Sequence, residues 1–286
     1  MTEKSTDAEH VPDHEASTRR YYETGDVDAF YEAVWGGEDI HIGVYARAEE
    51  AIAEASRRTV RQAADRVADL LGPDAVVLDL GAGYGGSSRA LAERFGCRVV
   101  ALDLSAEHNR RHRASNALRG LDHLIEVETG SLSNLPYASG RFDVVWSLEV
   151  LCHVEDRGGA LQEAVRVLKP GGALVFSDIM AAGTTPVEAV RPALSRLGVQ
   201  ALATPSFYQG HLSRLGLKAD FEDGTEHLRT HYARLDEEVR RRADELREVI
   251  SPAYLDDLLD NLPLWADITR RQLLRWGLFH ARRTAV

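Results

Sequence analysis

The sequence predicts an α/β fold, a doubly wound and mostly parallel seven-stranded sheet with helices on both faces. Three observations lead there. Short apolar runs, too uniform to leave one side to water, recur at Val76–Leu80, Val99–Leu104, Leu124–Val127, Phe142–Trp146 and Ala173–Phe176, as expected of strands buried on both faces. Helical periodicity separates most of them, at 86–95, 106–119 and 157–168, and parallel neighbours require such crossover connections. The first strand also runs without a break into Gly81-Ala82-Gly83-Tyr84-Gly85-Gly86 and then into a helix, the usual way a doubly wound sheet presents a ligand-binding turn.

The remaining elements follow in chain order. Residues 1–20 are polar and charged with almost nothing to bury, and are expected to be a mobile tail. From Tyr21 onward aromatic residues cluster, at Tyr21, Tyr22, Phe30, Tyr31, Trp35 and Tyr45, around a Gly36-Gly37 joint. This predicts a helical lid over 21–72, whose second helix, within 47–71, is closed by Gly72-Pro73. Beyond Met180 the pattern predicts helices at Val187–Leu197 and Ser206–Leu215, a strand at Leu217–Phe221, a charged helix over 233–250 and a last strand at Trp276–Ala281. The span 181–275 is expected to be inserted around the last strands and to shape a substrate pocket.

With 286 residues the chain suits one elaborated domain or two small ones. A net charge of -11 disfavours a nucleic-acid partner held by a general basic face. All basic residues but Lys4, Lys169 and Lys218 are arginine. Cys97, expected at a helix–strand junction, and Cys152, expected at a strand end, cannot build a disulfide scaffold, so a reducing cytoplasm is the expected location. The N-terminus shows no apolar signal core, and no run of about 18 apolar residues occurs, so neither export nor membrane insertion is expected.

The glycine turn carries the chemistry. Glycines there accept positive φ and let a ligand approach the backbone. The triplet by itself fits a dinucleotide site or a tight structural turn equally well. Asp79 sits inside the strand end, where an acid is costly without a partner. Asp103 ends the second strand, about 20 residues beyond the turn, where a carboxylate can accept from both ribose hydroxyls. His108 and His112 have helical i, i+4 spacing but lack a third ligand, so no metal is expected.

Together, the Asp79-to-Gly85 segment, Asp103, Gly130-Ser131-Leu132 and Leu168-Lys169-Pro170-Gly171-Gly172 resemble a class I S-adenosylmethionine-dependent methyltransferase over residues 75–178. The resemblance implies a Rossmann-like domain over 21–286 and S-adenosylmethionine as methyl donor, with S-adenosylhomocysteine as product. It places Asp79, Gly81, Gly83 and Gly85 at the cofactor's methionine end, Asp103 and Leu104 at the ribose, Ser131 and Leu132 at the adenine, and Ser147 and Trp35 also near the cofactor.

A narrower resemblance lies in Tyr21-Tyr22, Phe30-Tyr31, Val34-Trp35-Gly36-Gly37-Glu38-Asp39-Ile40-His41-Ile42-Gly43-Val44-Tyr45, Phe207-Tyr208 and His231-Tyr232-Ala233-Arg234. These are similar to the sarcosine and dimethylglycine N-methyltransferases that make glycine betaine, an osmolyte. The expected catalytic residues are then His153, Tyr22 and Trp35, and the expected substrate contacts are Tyr31, His41, Arg191, Tyr208, Tyr232 and Arg234. Arginine suits a carboxylate through its bidentate fork, and aromatic faces suit a quaternary nitrogen. If the amine arrives deprotonated, alignment in a water-poor pocket suffices and little acid–base chemistry is required.

Where those enzymes carry Trp-Ser-Gln-Asp, this chain has Trp146-Ser147-Leu148-Glu149; Asp-Pro-Met becomes Asp178-Ile179-Met180, and a glycine-rich stretch becomes Asp267-Ile268-Thr269-Arg270-Arg271. A C- or O-methyltransferase of a small specialised metabolite, and a non-catalytic binding module, are therefore also considered. A pocket without a carboxylate-binding arginine would favour the former. The expected partners are a small-molecule substrate, no nucleic acid and no membrane, with the chain a monomer or homodimer.

Overall fold

A computed structural model describes residues 25–195 and 199–284. The tail expected over 1–20, with Tyr21 and Tyr22, lies outside them. Seven strands form one sheet: β1 (Val76–Leu80), β2 (Arg98–Asp103), β3 (Ile125–Thr129), β4 (Phe142–Leu148), β5 (Leu168–Ala181), β6 (Lys218–Asp223) and β7 (Leu274–Arg282). Their order is β3-β2-β1-β4-β5-β7-β6. The first five are parallel, while β7 runs antiparallel to both β5 and β6. The uniform apolar runs are explained directly, since β1 and β4 bury side chains on both faces, in two separate apolar clusters.

Ten helices accompany the sheet among the described residues: α1 (Gly25–Trp35), α2 (Ile52–Asp65), α3 (Gly86–Phe95), α4 (Ala106–Leu118), α5 (Arg157–Val167), α6 (Val187–Leu194), α7 (Pro205–Arg214), α8 (Thr225–Arg241), α9 (Ala243–Leu246) and α10 (Pro252–Arg270). Short 3-10 turns occur at Ala68–Leu70 and Leu151–His153. No helix of the described residues is long and apolar enough to cross a membrane. A third apolar cluster joins α1 to the helices after β5, through Phe30, Trp35, Leu228, Leu235, Leu258 and Trp265.

Four expectations are corrected. Cys152 lies in the 3-10 turn rather than at a strand end. The charged helix expected over 233–250 begins earlier, at Thr225, and ends at Arg241; its added first turns grip the segment after α1, where His231 Nδ1 accepts from Gly43 N (3.2 Å) and lies 3.0 Å from Tyr45 Oη, and His227 Nδ1 accepts from Tyr45 N (3.2 Å). The Lys169-to-Gly172 turn is an excursion within β5, since Phe142 pairs with Leu168 and Val144 already pairs with Ala173. Finally, α10 was not anticipated, and Asp267–Arg270 belong to its last turn. Pro263 interrupts it on paper by removing the donor for Leu259 O, but Arg240 Nη2 donates to that carbonyl at 3.5 Å.

Candidate active site

A cavity of about 670 Å³ lies at the carboxyl ends of β1, β2, β3 and β4, the usual ligand position in an open parallel sheet. The turn after β1 supplies Gly81, Gly83 and Gly86; the ends of β2 and β3 supply Asp103, Leu104 and Leu132; the end of β4 supplies Leu148 and Glu149. His41, from the segment joining α1 to α2, and His153, from the 3-10 turn, complete the wall. Of the residues expected from sequence, the structure thus brings Gly81, Gly83, Asp103, Leu104, Leu132, His41 and His153 to one space.

The donor set fits S-adenosylmethionine. Gly83 has φ +52 and nothing within 4 Å of where a Cβ would stand, so its backbone is open to a ligand. Asp103 Oδ2 accepts from Gly83 N (2.9 Å) and Oδ1 from Ser105 N (2.8 Å), which aims the carboxylate across the turn. Burial pushes the Asp103 pKa up, but His108 and the two backbone N–H groups outweigh it and hold the carboxyl below its ordinary value. An ionised acceptor with free lone pairs suits a vicinal diol. Leu104 and Leu132 give the apolar surface an adenine ring needs.

Other expected residues lie behind this wall or away from it. Asp79 is buried beneath the turn, where its Oδ2 accepts from Ser88 Oγ (2.6 Å), and burial pushes its pKa up to about 6. Gly85 turns toward His112 rather than the cavity, and Ser147 Oγ donates back to Leu80 O at 3.2 Å. Ser131 shapes the turn after β3, its Oγ accepting from Ser133 N (3.0 Å). Trp35 packs edge-on against Tyr31 and Phe30 and donates from Nε1 to His41 O (3.3 Å), so both Trp35 and Tyr31 stand one layer back. Tyr232 stacks on Trp265 in the helical layer. Arg191 pairs with Glu188 on the surface, and Arg234 with Glu237. Arg191 is exposed, whereas Arg234 is mostly buried, with no hydrogen-bond partner for its Nε among the described residues and its charge acting on Tyr45. Tyr22 lies outside the described residues.

The residue that sequence reading missed is Glu149. It was visible only as a departure from a motif, yet its carboxylate sits in the cavity wall with partners from three elements: His41 Nδ1 (2.9 Å), Ser177 Oγ (2.6 Å) and Trp276 Nε1 (2.7 Å). Its φ of +54 is rare for a residue with a side chain. An acid directly after an apolar strand was the one available signal.

The turn carrying His153 is held from below by Asp178, whose Oδ1 accepts from Cys152 N (3.0 Å) and Oδ2 from Tyr208 Oη (2.5 Å). Tyr208, expected at the substrate, is thus part of that support. Complete burial pushes the Asp178 pKa up to about 7. A carboxyl whose folded pKa is raised contributes stability at pH below its unfolded value and loses it as pH rises through the folded value. Asp178→Asn, which keeps an acceptor for Cys152 N, is therefore expected to be more stable than the wild type above pH 7 relative to their difference at pH 4. Parallel denaturant titrations at the two pH values check this, and an equal difference at both would contradict it.

Comparison with known proteins accords with this geometry. Residues 78–176 match the family model described as a methyltransferase domain. A sarcosine/dimethylglycine N-methyltransferase of Halorhodospira halochloris is 44% identical over 268 residues, covering 93% of this chain and 96% of that protein. The chain belongs to the sarcosine/dimethylglycine N-methyltransferase family. A dimethylglycine N-methyltransferase of Parasynechococcus marenigrum (strain WH8102) in the same family is 44% identical over 264 residues, covering 92% of this chain and 94% of that protein. A solved structure from Galdieria sulphuraria, described as a candidate sarcosine dimethylglycine methyltransferase, superposes with a TM-score of 0.83 at 31% identity over 90% of this chain and 98% of that one.

Proposed function

We propose that the protein transfers a methyl group from S-adenosylmethionine to the amine of sarcosine or dimethylglycine, the latter step giving glycine betaine. The observation that carries the reading is 44% identity along nearly the whole length of an enzyme of that name, joined to a cavity whose Asp103 and open Gly83 fit the cofactor. When bound, the cofactor supplies an activated methyl group on a positively charged sulfur. Gly81, Gly83, Asp103, Leu104 and Leu132 would hold it, and His41, Glu149 and His153 would face the acceptor. The lid of residues 21–72 and the pocket elements of 181–275 would exclude water within one methyltransferase domain over 21–286. We further place the protein in the cytoplasm as a monomer or homodimer without a nucleic-acid partner.

One observation favours a second reading. No arginine or lysine of the described residues lines the cavity, so among them no guanidinium stands there for a substrate carboxylate, as in a C- or O-methyltransferase of a neutral metabolite. Initial rates with glycine, sarcosine, dimethylglycine and a set of phenolic and amine acceptors separate the two. The proposed function predicts dimethylglycine or sarcosine well ahead of the rest. Turnover of a phenol or carbon acid alone would overturn it.

A further inference from the structure

His41 and Glu149 come from elements 108 residues apart in sequence and meet in the cavity wall. We propose that His41 is the base that removes the proton from the acceptor's ammonium group, and that Glu149 is the positioning residue that sets its tautomer. The inference rests on the amine-acceptor reading above, because an acceptor that enters as an ammonium ion has no lone pair until that proton is gone.

The geometry carries the assignment. A carboxylate has no proton to give, so the 2.9 Å contact between Nδ1 and Glu149 Oε2 requires the hydrogen on Nδ1. That leaves the lone pair on Nε2, which lies 3.3 Å from Ser87 Oγ, another residue of the cavity wall. The ring is held at its backbone too, since the His41 carbonyl accepts from Ser56 Oγ (2.7 Å) and Trp35 Nε1 (3.3 Å). Glu149 cannot swing away without losing Ser177 and Trp276. A nitrogen base whose far side is fixed by a buttressed carboxylate is the arrangement general-base catalysis uses elsewhere.

The charges facing His41 are Asp39 on its own segment, Asp79 on β1 and Glu149 after β4. Burial opposes a charged ring, but the Glu149 hydrogen bond and charge, with Asp39 and Asp79, hold its pKa above the ordinary histidine value. In the proposed step the acceptor N–H bond breaks, its proton passing to Nε2 and its electron pair staying on nitrogen. That pair forms the new N–C bond as the methyl–sulfur bond breaks and leaves its pair on sulfur. The proton then passes from His41 to solvent.

The test uses full-length wild type, Glu149→Gln, Glu149→Asp and His41→Asn with dimethylglycine across a pH range. Glutamine can still accept from Ser177 and Trp276 but presents an amide donor to Nδ1, which forces the hydrogen to Nε2. Glu149→Gln and His41→Asn are expected to lower kcat by about 10²–10⁴-fold with KM and cofactor affinity little changed, and the loss should shrink as rising pH deprotonates the acceptor in solution. Glu149→Asp should recover part of the rate. ¹⁵N spectra of labelled histidine in the cofactor-free protein should show His41 as the Nδ1–H tautomer in wild type and Nε2–H in Glu149→Gln. The same loss at every pH, or an Nε2–H tautomer in an active wild type, would overturn the base assignment alone. A wild type that methylates no amine overturns the functional reading and this inference with it.

Discussion

Asp103→Ala is expected to weaken S-adenosylmethionine binding by about 1–3 kcal/mol, roughly 5–150-fold in dissociation constant. The carboxylate is the ionised acceptor of the cofactor half of the cavity, and nothing else at the end of β2 can replace it for two ribose hydroxyls. Its loss also frees Gly83 N and Ser105 N, which it now engages. Asp103→Asn should fall between wild type and Asp103→Ala. An asparagine can accept from only one of the Gly83 and Ser105 N–H groups and sets its NH2 against the other, so it keeps one backbone contact and loses part of the affinity. Calorimetric titration of S-adenosylhomocysteine into the three proteins measures this. Equal affinity in all three would remove Asp103 from the site.

The second large effect is on stability. Gly85 has φ +84, and a Cβ there would lie 2.1 Å from the His112 ring. His112 is fully buried, neither ring nitrogen has a hydrogen-bond partner among the described residues, and burial followed by the Arg89 charge pushes its pKa down to about 3. The ring is therefore a neutral space-filler wedged under the glycine turn. Gly85→Ala combines a left-handed backbone penalty with an overpacked interior and should cost about 2–5 kcal/mol in unfolding free energy. The cofactor turn would be displaced with it. Denaturant unfolding of the variant reads the loss directly, and a cost below about 0.5 kcal/mol, the range of surface substitutions, would contradict the packing described.

Much of the fold was legible because its strands are buried on both faces and so announce themselves as apolar runs. Asp103 was legible because its distance from the glycine turn reflects one helix and one strand of ordinary length. The helix α10 was hidden by Pro263, whose missing donor is replaced by Arg240 from another helix, a partnership local sequence cannot reveal. Glu149 was hidden for a similar reason. Its meaning comes from His41 before it and from Ser177 and Trp276 after it, none of them within reach of a local pattern. Arg191 was drawn to the site by the chemistry of its guanidinium fork, and Arg234 also by the His231-Tyr232-Ala233-Arg234 resemblance; Arg191 pairs with Glu188 at the surface, while Arg234 pairs with Glu237 and keeps its Nε buried.

Alignment suffices for an amine that arrives deprotonated. For one that enters as an ammonium ion, the cavity offers a histidine in contact with a carboxylate, among acids that favour positive charge. Such a wall favours the quaternary ammonium product electrostatically, and the acidic residues Glu38, Glu155 and Asp156 at the cavity extend that field.

The most direct test is a single-turnover reaction of the full chain with S-adenosylmethionine carrying an isotopically labelled methyl group and dimethylglycine, analysed by mass spectrometry. The label is expected to appear in glycine betaine in step with S-adenosylhomocysteine. Label that stays on the bound cofactor in the presence of saturating dimethylglycine and sarcosine would contradict it.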